Sequence, residues 1–384
     1  MSASAARAVV RENDQSASSA VPSISASSRA IHVSDLMSFE HGGIGARNET
    51  IHAAAPEGIS GLSRWGVYLT EGSIANERLL NDTLDRLAAS TGAALVFDVK
   101  GGVVHFAAAS PLAEKLDLIR PAYDLTKIVQ RAKTRGIYTI ARFIAAKDPL
   151  LSQRLPETQI HHPETKNAIG PGWVDLSQED VLTYNKEVLE EVVRSGVDEI
   201  NLDYIRYPTE YAEASIGLTG DGKADHIETF LLMTGNVIRR LHAQTKLGIS
   251  TYAILGWNFP VNKEPLGQDV VRFAPLVDVI SPMAYPATFA AGYYYRPGVD
   301  PRSRMYALVY RTLQGYADLL GPEQAVKLRP WIQGYGITAK NIRDEIDAVY
   351  DAGACGFMVW NASNAYDLVF RTMQNVAIPV RCIR

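Results

Sequence analysis

Eight short runs of β-branched and aromatic residues, separated by segments with helical spacing, dominate the chain from Trp65 onward. The runs begin at Trp65, Ala93, Ile137, Asp198, Leu247, Val277, Lys327 and Gly356. Between them, segments such as 76–90 and 178–195 carry apolar residues three and four positions apart. Eight strands that alternate with helices predict an α/β fold, a (β/α)8 barrel or TIM barrel. A doubly wound open sheet is the alternative, but it usually has fewer strands, and no Gly-x-Gly-x-x-Gly follows the first run.

The N-terminal region differs in composition from the rest of the chain. Its first 30 residues include nine Ser and eight Ala, which bury too little apolar surface to offset the entropy of ordering. We therefore predict a flexible, disordered arm over residues 1–60 and a barrel domain over residues 61–384. Arg7 interrupts the apolar stretch 5–10, so no export signal is visible. The protein is then either cytoplasmic or, if an export signal is missing from this sequence, extracytoplasmic.

Composition narrows the classes of partner. The 384 residues carry a formal net charge of -4 and no lysine- or arginine-rich block, which argues against nucleic acid as a ligand. No apolar run approaches the roughly 20 residues of a transmembrane helix. The two cysteines, Cys355 and Cys382, form either one disulfide or two free thiols. The pair His161-His162 has no acidic residue at ligand spacing, so we predict neither a metal nor a cofactor. The sequence leaves the oligomeric state open.

The fourth run, from Asp198 to Pro208, gives the clearest functional signal. Alternation along a strand directs Asn201 and Asp203 toward one face and the apolar Leu202 toward the other. Asp203 is then expected to face the barrel axis near the carboxyl ends of the strands, where barrel enzymes hold their active sites. Burying an unpaired carboxylate is costly, so Asp203 has either a function or only an ion pair with an inward arginine.

Polar and aromatic side chains from five other runs are predicted to reach the same mouth. The same alternation selects Asp98, Lys100, Arg142, Tyr285, Gln333 and Trp360. A barrel filled only for stability would place Val, Ile and Leu in these layers. This convergence favours a binding or catalytic site.

A carboxylate among aromatic and amide groups is typical of glycoside cleavage, in which one carboxylate is the nucleophile or base and another is the acid. We assign the first role to Asp203 and the second, provisionally, to Asp98. The alternative for Asp98 is a permanent salt bridge to Lys100 or Arg142. Other candidates for the acid follow other strands: Glu71, Asp148, Glu210, Glu264 and Asp269. Sugar rings would stack on Trp360, and the further tryptophans Trp173, Trp257 and Trp331 are either core or additional stacking residues.

The order of these motifs resembles a bacterial glycoside hydrolase barrel family long catalogued as a domain of unknown function. The resemblance covers about residues 65–366 and rests on KDPLL, WVD, DEINLDYIRYP, GQD, VDVISPMAYP, RPWIQ and VWNASN. It implies a TIM barrel that acts on carbohydrate. The family motifs fall on Asp203, on Asp98 with Lys100, and on Tyr285. Arg206 and Asn361 lie within two of the matched motifs and complete the predicted substrate-binding set.

Two positions depart from the family pattern. Members typically carry an aspartate where this chain has Gly334, and another near the end of the fifth strand, where it reads Ser250-Thr-Tyr-Ala-Ile. A more distant similarity to chitinase-type barrels places Ile205 at the position of their catalytic glutamate, which does not support their mechanism. Because the aspartates expected at Gly334 and near the end of the fifth strand are missing, the alternative function is a catalytically silent barrel that binds carbohydrate. A phosphate-handling barrel is a third hypothesis, supported only by Gly334-Tyr-Gly336.

Overall fold

Eight parallel strands close into a barrel in a computed structural model that describes residues 61–292, 294–300 and 302–382. The strands are β1 (Trp65–Leu69), β2 (Ala93–Lys100), β3 (Tyr138–Ile144), β4 (Glu199–Asp203), β5 (Lys246–Tyr252), β6 (Val279–Met283), β7 (Trp331–Gln333) and β8 (Phe357–Trp360). Each strand pairs with the next, and β8 pairs with β1. The predicted TIM barrel is confirmed. The predicted arm of residues 1–60 lies outside the described residues.

Helices cover the outside of the barrel. They are α1 (Glu71–Ala75), α2 (Glu77–Ala88), α3 (Pro111–Lys115), α4 (Leu125–Lys133), α5 (Pro149–Arg154), α6 (Glu179–Arg194), α7 (Glu213–Ile216), α8 (Gly220–Arg240), α9 (Phe259–Leu266), α10 (Val270–Phe273), α11 (Arg304–Ala325), α12 (Ala339–Asp351) and α13 (Asp367–Met373). The side chains of Asn76 and Asp124 cap the first turns of α2 and α4. The predicted helical segments 76–90 and 178–195 correspond to α2 and α6.

Two glycines show how helices end before strands. Gly136 and Gly196 follow α4 and α6 with φ angles of 70° and 79°, a left-handed conformation that costs glycine little because it has no Cβ atom. Each turn directs the chain back into the next strand. The sequence signal for helix ends is confirmed at both positions.

The barrel interior holds a second apolar cluster, separate from the larger core between strands and helices. Its buried members are Tyr68, Ala94, Val96, Ile140, Trp331 and Met358. These residues alternate with outward-facing ones, as strand geometry requires. Side chains one step further along the same inward rows form the mouth of the barrel at the carboxyl ends of the strands.

A sealed ion pair lies near the opposite end of the barrel. The guanidinium of Arg329 contacts Glu199 at 2.5 and 2.9 Å, and both side chains are essentially inaccessible to solvent. Burial raises the pKa of Glu199, and Arg329 opposes that rise. Arg329 also donates to the carbonyl of Gly61, so the segment that precedes β1 covers this end. The mouth is therefore the open end of the barrel.

A disulfide joins Cys355, just before β8, to Cys382, which decides between the two alternatives left by the sequence. It ties the last described turn of the chain to the barrel. Among the described residues, no helix is long and apolar enough to cross a membrane.

Candidate active site

Asp203 is the last residue of β4, and its carboxylate is held from two sides. Oδ2 accepts hydrogen bonds from Arg142 Nε at 2.8 Å and Nη2 at 2.7 Å. Oδ1 accepts from the backbone N–H of Tyr204 at 2.7 Å. Tyr204 has a φ of +49°, which is uncommon for a residue with a side chain and is a form of backbone strain that clusters at functional sites. This turn ends the strand and fixes the orientation of the carboxylate.

Asp98 on β2 binds the other side of the same arginine. Its Oδ1 accepts from Arg142 Nη1 at 2.6 Å, and its Oδ2 accepts from the hydroxyl of Tyr68 at 2.5 Å. Burial alone would lower the pKa of Arg142, but Asp98 and Asp203 outweigh it and raise that pKa well above its ordinary value. One guanidinium thus bridges two carboxylates.

The bridge differs from the two sealed ion pairs found among the described residues. The side chains of Asp98 and Asp203 retain 9% and 11% of their accessible surface. Glu199 and Arg329 retain almost none, and neither do Lys100 and Asp148. The ion pair with an inward arginine that the sequence offered as the alternative for Asp203 is present. Unlike the sealed pairs, however, it is accessible from the mouth.

Three aromatic rings form a wall on the other side of the mouth. Tyr285, after β6, and Trp360, on β8, lie at a tilt of 31° with ring centroids 5.6 Å apart. Tyr335, after β7, stands almost perpendicular to Trp360 at 5.3 Å. Burial, followed by the charge of Asp203, raises the pKa of Tyr285 well above its ordinary value. The aromatic wall therefore faces the carboxylates as neutral, half-exposed rings.

The sequence interpretation missed Tyr335. It continues the inward alternation of Trp331 and Gln333 by one more step, past the end of β7 at Gln333. Extending the alternation beyond the strand would have identified it. Trp331 itself is buried inside the barrel, where its Nε1 donates to Ser250 Oγ at 3.0 Å, so it is a core residue.

Lys100 does not lie at the mouth, and this prediction is wrong. The pairing of β2 with β3 shifts between Asp98, which pairs with Arg142, and Lys100, which pairs with Phe143. This β-bulge reverses the alternation. Lys100 Nζ is fully buried and contacts Asp148 at 2.8 Å, while also donating to the carbonyl of Ile144. It is a structural residue of the outer layer, and Asp148 is removed from the candidate acids.

Gln333 and Asn361 lie at the mouth, but their amides bind the protein itself. Gln333 accepts from the N–H of Ala287 and donates to the carbonyl of Tyr335, both at 2.8 Å. Asn361 donates to the carbonyl of Gly334 at 2.8 Å. Both side chains are buried. They hold the loops after β6, β7 and β8 in place, and their predicted contact with substrate stays a prediction.

Arg206 follows β4 and is buried among aromatic rings. Its guanidinium lies 4.6 Å from the ring centroid of Trp173 and 4.9 Å from that of Tyr252. Its Nη1 donates to the carbonyl of Tyr207 at 2.9 Å. These contacts pack Arg206 against the loop after β4, and the substrate contact predicted from its motif stays a prediction. They also account for Trp173 as a packing residue.

Gly334 explains one departure from the family pattern. A Cβ atom at this position would lie 2.7 Å from Val359 Cγ1 and 2.9 Å from the carbonyl oxygen of Trp360. The N–H of Gly334 donates to that same carbonyl at 2.9 Å. Because β7 and β8 approach each other so closely here, the structure has no room for the aspartate that the resemblance led us to expect.

The protein is a closed parallel barrel. Two carboxylates and an aromatic wall lie at its mouth, an arrangement that suits carbohydrate chemistry. Residues 66–366 match a protein family described as "Putative glycosyl hydrolase domain". The chain belongs to this family. This membership confirms the resemblance seen in the sequence and makes the protein a glycosidase-type enzyme. A comparison with curated proteins finds no match.

Solved structures share the fold at low sequence identity. The glycoside hydrolase domain of PgaB (BpsB) from Bordetella bronchiseptica is 14% identical with a TM-score of 0.62, over 83% of this chain and 99% of that one. The catalytic domain of β-amylase from Paenibacillus polymyxa is 10% identical, with a TM-score of 0.51 over 84% and 99%. The α-galactosidase TtGalA from Thermus thermophilus, solved with stachyose, is 14% identical, with a TM-score of 0.50 over 84% and 66%. At this identity, the three structures show that the fold is shared.

Proposed function

We propose that this protein cleaves a poly- or oligosaccharide at the barrel mouth, with Asp203 as the nucleophile or general base. The observation that supports the proposal is the solvent-accessible pair of carboxylates bridged by Arg142, opposite the aromatic wall. Hydrolysis of a glycosidic bond uses two carboxyl groups on either side of an oxocarbenium-like transition state. No group of acidic, histidine or cysteine residues in the described part of the chain is arranged to hold a metal ion.

The hydrogen bonds suit Asp203 to its role. Arg142 and the N–H of Tyr204 donate to its carboxylate and fix its orientation. A nucleophile or base must be ionised when substrate binds. Asp203 is then ready to attack the anomeric carbon or to deprotonate a water molecule that does so.

Asp98 is proposed as the second carboxylate of the site. The sequence predicted it as the proton donor. However, both of its carboxylate oxygens already accept hydrogen bonds, one from Arg142 and one from Tyr68. Its negative charge would therefore stabilise the positive charge that develops on the sugar ring.

The aromatic wall would hold the sugar over these carboxylates. Trp360 and Tyr285 present neighbouring rings on which the apolar face of a pyranose can stack, and Tyr335 closes the corner. This arrangement supports a carbohydrate rather than a phosphate ester as substrate, because Arg142, the cation that contacts Asp98 and Asp203, is already paired with these two carboxylates.

Release of reducing ends from a panel of bacterial and plant polysaccharides tests the proposal. Wild type is expected to release them, and Asp203→Asn is expected to lose several orders of magnitude in rate. Asp318→Asn, on the exposed surface of α11, is the matched control and should retain wild-type activity. Equal activity of wild type and Asp203→Asn would remove Asp203 from the chemistry.

One observation favours the alternative of a silent carbohydrate-binding barrel. The close approach of Gly334 to β8 leaves no room for the aspartate of related sequences. If binding to a polysaccharide survives in Asp203→Asn, and neither protein releases reducing ends, binding rather than hydrolysis is the function.

A further inference from the structure

Glu71 is the first residue of α1, directly after β1 at the mouth. Its position is fixed by the loop after β8. Asn364 Oδ1 accepts from both the backbone N–H and the hydroxyl of Thr70, and Asn364 Nδ2 donates to the carbonyl of Tyr68. Asn364 adopts a left-handed φ of 54° to do so. The start of α1 is thus clamped between the ends of β1 and β8.

Glu71 lies beside the groups that surround Asp98. The hydroxyl of Tyr68 binds the Asp98 carboxylate, and the hydroxyl of Tyr123 binds the Asp98 carbonyl. Burial raises the pKa of both tyrosines, and the charge of Glu71 adds to this rise. It also opposes the effect of burial on His105, whose pKa is lowered overall. Asp98, Lys100 and Arg142 are the other charged groups that act on His105. Glu71 therefore lies on the β1 and β2 side of the mouth, three residues after Tyr68, whose hydroxyl binds the Asp98 carboxylate.

Glu71 differs from the other candidate acids in having no fixed partner among the described residues. Asp148 is paired with Lys100, and Glu264 accepts from the N–H of Gly220. Asp269 caps α10 and contacts Lys263. Glu210 projects into solvent with 42% of its side chain exposed, 4.0 Å from Arg206. Among these carboxyl groups, the half-buried Glu71 has no hydrogen bond or ion pair to another described residue.

We propose that Glu71 is the proton donor of the reaction, which rests on the proposed glycosidase function. A general acid must hold a proton and release it to the leaving group. As the bond between the anomeric carbon and the glycosidic oxygen breaks, its electron pair goes to that oxygen, which takes the proton of Glu71. The anomeric carbon gains an oxygen of Asp203, or of the water molecule that Asp203 deprotonates.

Leaving-group dependence distinguishes this role from a structural one. A polysaccharide that wild type cleaves in the reducing-end screen needs protonation of its leaving oxygen, whereas the glycosyl fluoride of the same sugar needs far less help. Glu71→Gln is expected to lose ~10²-fold or more on the polysaccharide and to remain within about threefold of wild type on the fluoride. Asp203→Asn should fail on both substrates.

Glu77→Gln, on the exposed start of α2, is the matched control and should behave as wild type. If wild type is active and Glu71→Gln is equally active on the polysaccharide, or loses the same factor on both substrates, Glu71 is not the proton donor, while the proposed hydrolase function stands. If wild type cleaves neither kind of substrate, the hydrolase function fails, and the assignment of Glu71 fails with it.

Discussion

The first four strands and the last four end in different kinds of side chain at the mouth. The charged half contains Tyr68, Asp98, Arg142 and Asp203, which are connected by short hydrogen bonds. The aromatic half contains Tyr285, Tyr335 and Trp360, which contact one another mainly through their rings. One half is held together by charge, and the other presents apolar surface.

The two halves suit different roles, catalysis for the charged half and substrate binding for the aromatic half. Charges that are fixed before substrate arrives stabilise a transition state without reorganisation. Rings without internal hydrogen bonds lose little when a sugar covers them. We therefore expect substitutions in the charged half to reduce stability and catalysis together, and substitutions in the aromatic half to reduce mainly binding.

The largest effect is expected from Arg142→Met. The change leaves Asp98 and Asp203 in a partly buried site without a cation, and breaking a buried ion pair costs about 3–5 kcal/mol. Urea unfolding at pH 7 should show this loss, which should shrink at pH 5 as one carboxylate protonates. Arg142→Lys, which keeps the charge, should recover part of the stability. Unchanged unfolding in Arg142→Met would mean that the bridge does not form.

Lys100→Met should cost a similar free energy of unfolding but should not alter the site. Lys100 and Asp148 are both sealed, so removing one partner leaves a buried charge, at about 3–5 kcal/mol. The KM of the remaining folded protein is expected to stay within about twofold of wild type. The double variant Lys100→Met/Asp148→Leu should regain much of the stability. A large rise in the KM of Lys100→Met would instead show that Lys100 contributes to the site at the mouth.

Lys100 also shows where prediction from sequence ended. The eight strands, the barrel and the inward directions of Asp98, Arg142 and Asp203 follow from periodicity alone, because each strand is regular up to those residues. A bulge of one residue after Asp98 cannot be seen in the pattern, and it moves Lys100 to the other face. Similarly, the sequence identified Gln333 but not the two backbone groups that occupy its amide, since those depend on how the loops meet.

Two tryptophans on adjacent strands test the role of the aromatic half. Trp331→Ala empties a site inside the barrel where the ring is 3% exposed, and should cost about 3–5 kcal/mol in unfolding free energy. Trp360→Ala removes a half-exposed ring and should cost less stability, but should lower kcat/KM about tenfold, which corresponds to about 1.4 kcal/mol of lost binding. Tyr335→Ala should follow Trp360→Ala. If Trp360→Ala instead lowers only the unfolding free energy and leaves kcat/KM unchanged, the aromatic wall is part of the core rather than of the binding site.

The smallest effect concerns a cluster behind the charged half that should make stability depend on pH. His226 Nδ1 lies 2.9 Å from Asp175 Oδ1 and 2.7 Å from Tyr207 Oη. Burial opposes a charge on His226, but the hydrogen bond and charge of Asp175 outweigh it and raise the pKa of His226. A pKa that is higher in the folded state stabilises the fold below the unfolded pKa, about 6.5, and this contribution is lost as pH rises through the folded pKa.

Wild type should therefore exceed His226→Gln in unfolding free energy by about 1 kcal/mol at pH 6, and the difference should fall toward zero by pH 9. There the neutral ring can still accept a hydrogen bond from the hydroxyl of Tyr207, so the loop after β4 should remain in place. His242→Gln, on the exposed turn after α8, is the matched control and should show no such pH dependence. If the difference in unfolding free energy between wild type and His226→Gln stays constant from pH 6 to 9, the contact between His226 and Asp175 is a neutral hydrogen bond rather than an ion pair.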